Sequence, residues 1–383
     1  MDNFSYYNPV KILFGKGMIA QLKKEIPLKS RVLVIYGGGS IRRNGVYDQV
    51  RDALTGYEWT EFAGIEANPH YETCMRAVEE INRSKISFLL AVGGGSVLDA
   101  TKFIAAAACF KGDAWDILAK RAPVRKALPL ACVMTLPATG SEMNSGAVIT
   151  KASTQEKLAF NSPLVFPQFS VLDPETTYSL PDNQTANGII DAFVHVCEQY
   201  LTYPVNAPIQ DRYAEAILLT LVENGTKVLN APHDYDLRAN IMWTATMALN
   251  GLIAVGVPQD WATHMIGHEI TAFHGLAHAE TLAIVLPALA RVMKENKKEK
   301  LLQMGERVFN INSGSTEEKI EQTIHAMETF FQSLGVRTKL SEYGLGEDII
   351  EPIAKRFEER GWMLGEKQDI TPDRVREILQ IAL

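Results

Sequence analysis

Three short apolar segments in the first half of the chain, each followed by a loop of small residues, constrain the fold most strongly. The segments are 32–36, 88–92 and 130–134. Helix-length stretches separate them, and the loops are rich in glycine, serine or threonine. Strands that are apolar on both faces and joined through helices are typical of a parallel sheet covered by helices. The sequence therefore predicts an α/β domain over residues 1–180, with the three loops at the sheet edge where ligands bind.

The second half of the chain has a different pattern, in which apolar residues recur at intervals of three and four. The clearest stretches are 209–228, 237–253 and 281–293. Two helix starts are also marked, because Ser315 and Glu318 have the spacing of a capping box and Thr371 precedes a proline. The sequence therefore predicts an all-helical domain over residues 181–383.

Composition limits the class of protein. A chain of 383 residues is too long for one ordinary core, and 46% hydrophobic with 22% charged residues is typical of globular proteins. A net charge of -7 gives no basic surface for nucleic acid or an anionic membrane. The first residues lack the pattern of a signal peptide, no segment can cross a bilayer, and the four cysteines form no CxxC pair. We expect a cytoplasmic protein with free thiols and with no nucleic-acid or membrane partner.

A glycine triplet at 93–95 follows the second apolar segment and precedes a helix-length stretch that begins near Ser96. Glycine lets the backbone approach a diphosphate closely, and a helix N-terminus offers free N–H groups to anions. The loop is therefore a candidate phosphate site for a dinucleotide. A local alternative is a capping box between Ser96 and Asp99, with the glycines forming only a turn. Leu98 stands where the common dinucleotide fingerprint has its third glycine, so this loop departs from that fingerprint.

The first loop, 37–40, bears on the choice of cofactor. NAD sites usually place an acidic residue near the end of an early strand, whereas this loop consists of three glycines and Ser40. Small residues leave room for the 2′-phosphate of NADP(H), and Ser40, Arg42 and Arg43 carry groups that bind phosphate. The pattern favours NADP(H) over NAD(H). The alternative for Arg42 and Arg43 is a solvated pair after an ordinary turn.

Short polar residues follow the third apolar segment, at Thr135, Thr139, Ser141 and Asn144. Their side chains can hydrogen-bond the nicotinamide carboxamide or the ribose of a dinucleotide. They can equally satisfy the backbone of a tight turn, so both interpretations stay open.

Histidines are concentrated in one part of the chain, since four of the eight lie between residues 264 and 278. Asp191 and His195 are spaced i, i+4, which brings two side chains together on one helix face. His264 and His268 have the same spacing, and His278 follows ten residues later. A carboxylate with three imidazoles suits a divalent Fe or Zn centre that keeps one position open.

Motifs spread along nearly the whole chain, in a fixed order, resemble those of the iron-containing (group III) alcohol dehydrogenases. They are FGKG at 14–17, GGGSVLDATK at 93–102, LPATGSE at 136–142, Asp191 to His195, and the set His264, His268 and His278. Within that family, the first glycine loop and the segment VPQDWATH at 257–264 are most similar to one branch. That branch contains NADPH-dependent butanol dehydrogenases and broad-range aldehyde reductases.

The resemblance implies an α/β N-terminal dinucleotide-binding domain with a parallel sheet, an all-helical C-terminal domain, an active cleft between them, and a homodimer. It implies that one divalent metal, Fe(II) or Zn(II), is bound by Asp191, His195, His264 and His278. The residues that it implies for NADP(H) binding are Gly37, Gly38, Gly39, Ser40, Asn68, Gly94, Gly95, Ser96, Asp99, Thr135, Thr139 and Lys157. One departure is Ala279, because many relatives have glycine after the last metal histidine.

The implied activity is metal-dependent hydride transfer between NADP(H) and small aldehydes or primary alcohols, as in butanol dehydrogenases and aldehyde reductases. A proton must accompany the hydride, and water, the cofactor ribose or a nearby side chain can supply it. His268 is the candidate side chain because it lies one helical turn beyond His264. The alternative for His268 is a structural role or a contact with the cofactor.

Three rival functions remain open at this stage. A lyase similar to dehydroquinate synthase would need lysines and arginines near the metal to hold phosphate and carboxylate groups. A polyol dehydrogenase would prefer NAD and a more polar pocket, and a structural or storage metal site would leave the glycine loops without a purpose. Apolar residues near the histidines, including Trp261 and Phe273, favour a small apolar aldehyde.

Overall fold

A computed structural model describes the whole chain, residues Met1–Leu383. It contains eight strands: β1 Lys11–Phe14, β2 Arg31–Tyr36, β3 Glu58–Phe62, β4 Phe88–Gly94, β5 Leu130–Leu136, β6 Gly146–Lys151, β7 Glu156–Asn161 and β8 Phe169–Leu172. Six of them form a parallel sheet in the order β1-β8-β5-β4-β2-β3, while β6 and β7 pair as a separate antiparallel hairpin. The three predicted apolar segments form β2, β4 and β5, so the predicted parallel sheet is confirmed.

Helices cover both faces of the sheet, which explains why its central strands are apolar throughout. In β2, Leu33 and Ile35 belong to one buried cluster, whereas Val32 and Val34 belong to a second. Successive side chains of a strand point to opposite faces, so each face packs into its own core. The adjacent positions of β5, β4 and β2 bring the loops that follow them to one edge of the sheet.

Six helices accompany these strands: α1 Leu22–Glu25, α2 Ser40–Arg43, α3 Val46–Ala53, α4 Tyr71–Ser84, α5 Gly95–Ala107 and α6 Asp116–Ala119. Nine more make up the second half, in agreement with the helical periodicity: α7 Asp182–Tyr200, α8 Pro208–Asn230, α9 Tyr235–Ala248, α10 Ala262–His274, α11 His278–Val292, α12 Lys294–Phe309, α13 Thr316–Ser333, α14 Ile350–Arg360 and α15 Pro372–Ala382. None of these helices combines the length and the apolar composition that crossing a membrane requires.

The predicted helix starts are confirmed at the level of single hydrogen bonds. The Ser315 hydroxyl accepts from the backbone N–H of Glu318, and the Glu318 carboxylate accepts from the Ser315 N–H. The Thr371 hydroxyl accepts from the backbone N–H of Arg374 at the start of α15, ahead of a proline at the first helical position. One helix is shorter than predicted, because α9 ends at Ala248 and not near residue 253. Asn250 accepts from the N–H of Leu252, which turns the chain there.

The residues group into two compact units. The α/β unit comprises Tyr7–Leu180 and Pro232–Thr246, and the helical unit comprises Met1–Tyr6, Pro181–Ala231 and Met247–Leu383. The predicted fold class, an N-terminal α/β part with a parallel sheet and a helical C-terminal part, is confirmed. The domain limits 1–180 and 181–383 stay predictions, since spatial grouping does not test which segments fold independently.

Candidate metal centre and cofactor loops

Helix α7 carries the first two candidate metal ligands on one buried face. Asp191 and His195 are one turn apart, and the distance from His195 Nε2 to Asp191 Oδ1 is 3.6 Å. Glu198, seven residues after Asp191, lies on the same face. All three side chains are buried. The i, i+4 spacing therefore produces the pair that the sequence predicted.

Two further imidazoles reach the same carboxylate from α10 and α11. His264 Nε2 lies 3.9 Å and His278 Nε2 lies 3.8 Å from Asp191 Oδ1. Ligand atoms of Asp191, His195 and His264 all lie within 4.8 Å of one another. The His278 side chain is 23% exposed, compared with 5–7% for the other three. The four predicted residues therefore converge, with His278 on the most accessible side.

The donor set and its spacing fit a divalent metal. Tetrahedral ligands at zinc bond lengths are about 3.3 Å apart, only slightly closer than the distances between Asp191 and the three imidazoles. His264 Nε2 is buried and has no hydrogen-bond partner, although burying such an atom costs free energy. A metal ion would supply the missing partner. Three nitrogens and one carboxylate oxygen suit Fe(II) or Zn(II), as predicted.

Glu198 is a part of this site that the sequence analysis did not single out. Its Oε1 lies 2.9 Å from His264 Nδ1 and also accepts from the backbone N–H of His264 at 2.9 Å. Burial opposes a charged imidazole, but the carboxylates of Asp191 and Glu198 prevail and raise the pKa of His264 to about 9. Burial also raises the pKa of Glu198 above its usual value. The seven-residue spacing from Asp191 is the sequence signal that could have revealed it.

The residues around the histidines divide into two groups. Trp261 stacks edge-on against His264 with ring centroids 5.2 Å apart, and its φ of 66° places a bulky residue in the left-handed region. The His268 ring lies 6.3 Å from that of His264 and 5.1 Å from that of His278, measured between centroids. Phe273, in contrast, packs against the core of the helical unit. Trp261 and His268 are thus the neighbours of the ligand cluster.

The second glycine loop meets the third loop at very short range. A Cβ atom on Gly95 would lie 2.4 Å from Thr139 Oγ1 and 3.0 Å from Thr139 Cβ, so only glycine fits there. Helix α5 begins at Gly95 without a side-chain cap, which makes the capping box between Ser96 and Asp99 wrong. The Asp99 carboxylate instead accepts from Ser141 Oγ at 2.7 Å and from the Val148 N–H at 2.9 Å.

Several other predicted cofactor residues are held by contacts within the α/β unit. Lys157 donates to Asn68 Oδ1 over 2.9 Å, and Asn68 has a positive φ of 58°. Gly38 and Gly39, in the first loop, have open space where a Cβ atom would stand. The buried Thr135 ends β5 together with Leu136. Gly37 directly follows β2 and Ser40 is the first residue of α2, whereas Gly94 is the last residue of β4 and Ser96 is the second residue of α5.

Arg42 is already engaged by its neighbours. Its Nη2 lies 2.7 Å from both carboxylate oxygens of Glu61 and donates to the Tyr36 hydroxyl over 2.8 Å. Its guanidinium carbon lies 4.0 Å from the centroid of the Tyr47 ring. This arrangement supports the alternative of an ordinary surface pair for Arg42.

Both halves of the chain match known protein families. Residues 9–174 match the family described as iron-containing alcohol dehydrogenase, and residues 185–383 match the C-terminal part of the Fe-containing alcohol dehydrogenase family. The chain belongs to the iron-containing alcohol dehydrogenase family. The predicted family is therefore confirmed.

Individual members of this family resemble the chain over its full length. It is 57% identical to the NADPH-dependent aldehyde reductase YqhD of Escherichia coli (strain K12) over 386 aligned positions, covering 100% of both chains. A substrate- and cofactor-free structure of that reductase has a TM-score of 0.93 at 55% identity, with 100% of each chain covered. The structure of an NADH-dependent butanol dehydrogenase from Thermotoga maritima has a TM-score of 0.96 at 37% identity and covers 100% and 99% of the two chains.

Proposed function

We propose that this family member is a metal-dependent oxidoreductase that transfers a hydride between NADP(H) and small aldehydes or primary alcohols, chiefly in the direction of aldehyde reduction. The observation that carries the proposal is the convergence of three imidazole Nε2 atoms on one carboxylate oxygen of Asp191. The preference for NADP(H) rests on the first glycine loop and on the similarity to an NADPH-dependent aldehyde reductase.

Asp191, His195, His264 and His278 hold the divalent metal in this proposal. When bound, the metal acts as a Lewis acid that polarises the carbonyl group of the aldehyde. His278 is the most exposed of the four residues that would hold the metal, so its side of the cluster is the one from which substrate would reach the metal. Trp261, against the His264 ring, supplies an apolar wall that suits a small aldehyde better than a phosphorylated sugar acid.

NADP(H) is bound at the sheet edge where the loops after β2, β4 and β5 emerge. The start of α5, from Gly94 to Ser96, offers backbone N–H groups to the diphosphate because the first turn of a helix leaves them unpaired. Gly38, Gly39 and Ser40 leave space for the 2′-phosphate. Asn68, Asp99, Thr135, Thr139 and Lys157, together with Gly37, complete the proposed contacts with the cofactor.

His268 delivers the proton in this proposal. Its side chain lies one turn beyond His264, with its ring 5.1 Å from that of His278, and is therefore beside the ligand cluster without being needed in it. An imidazole titrates near neutral pH, which suits it to proton transfer under physiological conditions. We further propose a cytoplasmic homodimer, on the basis of the family resemblance and of four cysteines that are all free thiols.

The test is oxidation of NADPH and of NADH with butanal, measured before and after chelation and after adding back Fe(II) or Zn(II). We expect metal-dependent turnover that is faster with NADPH, and loss of at least 100-fold, on the order of removing a group that stabilises the transition state, in H264A. Equal loss of metal and activity in D191A would tie the reaction to the same cluster. Metal binding without turnover of any simple aldehyde would refute the proposal and favour the lyase.

A further inference from the structure

A chain of buried charged groups extends from His264 away from the ligand cluster. Glu198 contacts the imidazole, and its backbone carbonyl accepts from the N–H of Asp260 at 2.9 Å. Asp260 Oδ2 lies 2.7 Å from Lys297 Nζ, and each of these two side chains is only 2% exposed. Lys297 also donates to the Leu201 carbonyl over 2.6 Å. All of these residues belong to the helical unit.

The chain of contacts joins the ends of the two helices that carry three of the four ligands. Leu201 directly follows the last residue of α7, whereas Asp260 lies two residues before the first residue of α10. Asp260 Oδ1 accepts from the N–H of Ala262, the first residue of α10, over 3.0 Å. Lys297, on α12, thus bonds to the carbonyl that follows α7 and to the carboxylate that accepts from the first N–H of α10.

Electrostatics indicate that this row of buried contacts contributes more to the geometry of the site than to stability. Removing charges from water is costly, so a buried ion pair often contributes little net stability compared with apolar residues of the same volume. The contact between Glu198 and His264 does affect geometry. A carboxylate bonded to Nδ1 of a metal-binding histidine fixes the orientation of the ring and leaves Nε2 free to bind the metal. His264 Nε2 is indeed the atom that faces Asp191.

We propose that Glu198 and Asp260 are positioning residues for the metal centre. Glu198 holds the His264 ring with Nε2 directed at the metal, and Asp260, anchored by Lys297, holds the start of α10 in register with α7. The inference rests on the proposed metal site, because a positioning role requires His264 to be a ligand. It extends that proposal by assigning metal affinity to residues outside the ligand set.

Two pairs of isosteric variants test the inference. E198Q and D260N each replace a buried carboxylate by an amide of the same shape. Their controls are E215Q and D211N, which make the same changes within the helical unit. Glu215 accepts from Tyr200 and Arg307, and Asp211 pairs with Lys300, so neither control contacts a ligand. The measurements are Zn²⁺ affinity by competition with a chelator, the visible spectrum of the Co²⁺-substituted protein, and the melting temperature of the metal-free protein.

We expect E198Q and D260N each to weaken Zn²⁺ binding by about 10-fold, the lower end of the usual effect of changing a partner of a ligating histidine, because the amide keeps an acceptor oxygen but loses the negative charge. Both should change the Co²⁺ spectrum, while E215Q and D211N stay within about 2-fold of the unmodified protein. Similar Zn²⁺ affinities for all four variants would overturn the inference, as would losses that merely follow a lower melting temperature of the metal-free protein.

The experiment separates this inference from the proposed function through H264A. Tight Zn²⁺ binding by H264A would mean that the metal site itself is wrong. Loss of binding in H264A, together with E198Q matching E215Q and D260N matching D211N, would refute the positioning role alone.

Discussion

Replacing Gly95 by alanine adds one methyl group where helix α5 meets the turn that contains Thr139. The new Cβ atom would lie 2.4 Å from Thr139 Oγ1, 2.5 Å from Cγ2 and 3.0 Å from Cβ. Rotation of the threonine side chain does not relieve this contact, since both branches and the Cβ atom itself are too close. The backbone of one loop must therefore move. Gly38, in the first glycine loop, is the matched control, because a Cβ atom there meets nothing within 4 Å.

The size of the effect follows from known costs of overpacking. An extra methylene in a packed site costs about 1–3 kcal/mol, and alanine returns at most about 1 kcal/mol through its higher helix propensity. The two figures together leave a net cost between about 0 and 3 kcal/mol, and we expect G95A to lose about 1–2 kcal/mol of unfolding free energy because the contact involves three atoms of Thr139. A displaced loop at the proposed diphosphate site should also weaken NADPH binding by about 10-fold, which corresponds to about 1.4 kcal/mol.

Urea unfolding followed by circular dichroism measures the first effect, and NADPH fluorescence titration measures the second. G38A should remain within about 0.5 kcal/mol of the unmodified protein in stability, as is usual for substitutions that create no clash. If G95A were as stable as G38A and bound NADPH as tightly as the unmodified protein, the packing argument for this glycine would be wrong.

Three further predictions concern other parts of the molecule. E328Q should cost about 1–2 kcal/mol at pH 7, because Glu328 bonds Arg291 at 2.6 and 2.9 Å, and urea unfolding measures this. Burial opposes ionisation of Glu328, but the pairing with Arg291 lowers its pKa below 4.5. The stabilisation from this pair is therefore present above pH 4.5 and disappears as the pH falls through the lower pKa of the folded state. An equal cost of E328Q at pH 3 would contradict the assignment. A thiol reagent should label Cys109 first, since the other three cysteines are buried and burial raises the pKa of their thiols; early labelling of any of those three would refute it. S315A should lose about 1 kcal/mol in urea unfolding through loss of the helix cap, and an unchanged midpoint would exclude that role.

Local spacing explains what the sequence alone could predict. The i, i+4 pair of Asp191 and His195 needs only a helix to bring the two side chains together, and the apolar strand segments need only a covered sheet. His264 and His278 could be assigned because the motifs occur in a fixed order along the chain. The first two predictions depend on patterns within a few residues, whereas the assignment of His264 and His278 depends on a resemblance that extends along the chain.

Contacts between distant segments explain what the sequence alone could not predict. Glu198 shares a helix face with Asp191, but its bond to His264 depends on how α7 and α10 pack. Lys297 is an ordinary lysine in a charged stretch of sequence, and only packing makes it a buried partner of Asp260. The short-range signal for a cap at Ser96 failed for the same reason, because Asp99 bonds to Ser141 in another loop.

The most direct test of the account is to titrate metal-free protein with Zn(II) or Fe(II) and to follow NADPH oxidation with butanal. The proposed site predicts that the rate rises in proportion to bound metal and reaches its maximum at one ion per chain. H264A, treated in the same way, should show neither binding nor turnover at those metal concentrations. Full NADPH-dependent turnover by protein that contains no metal would contradict the central claim.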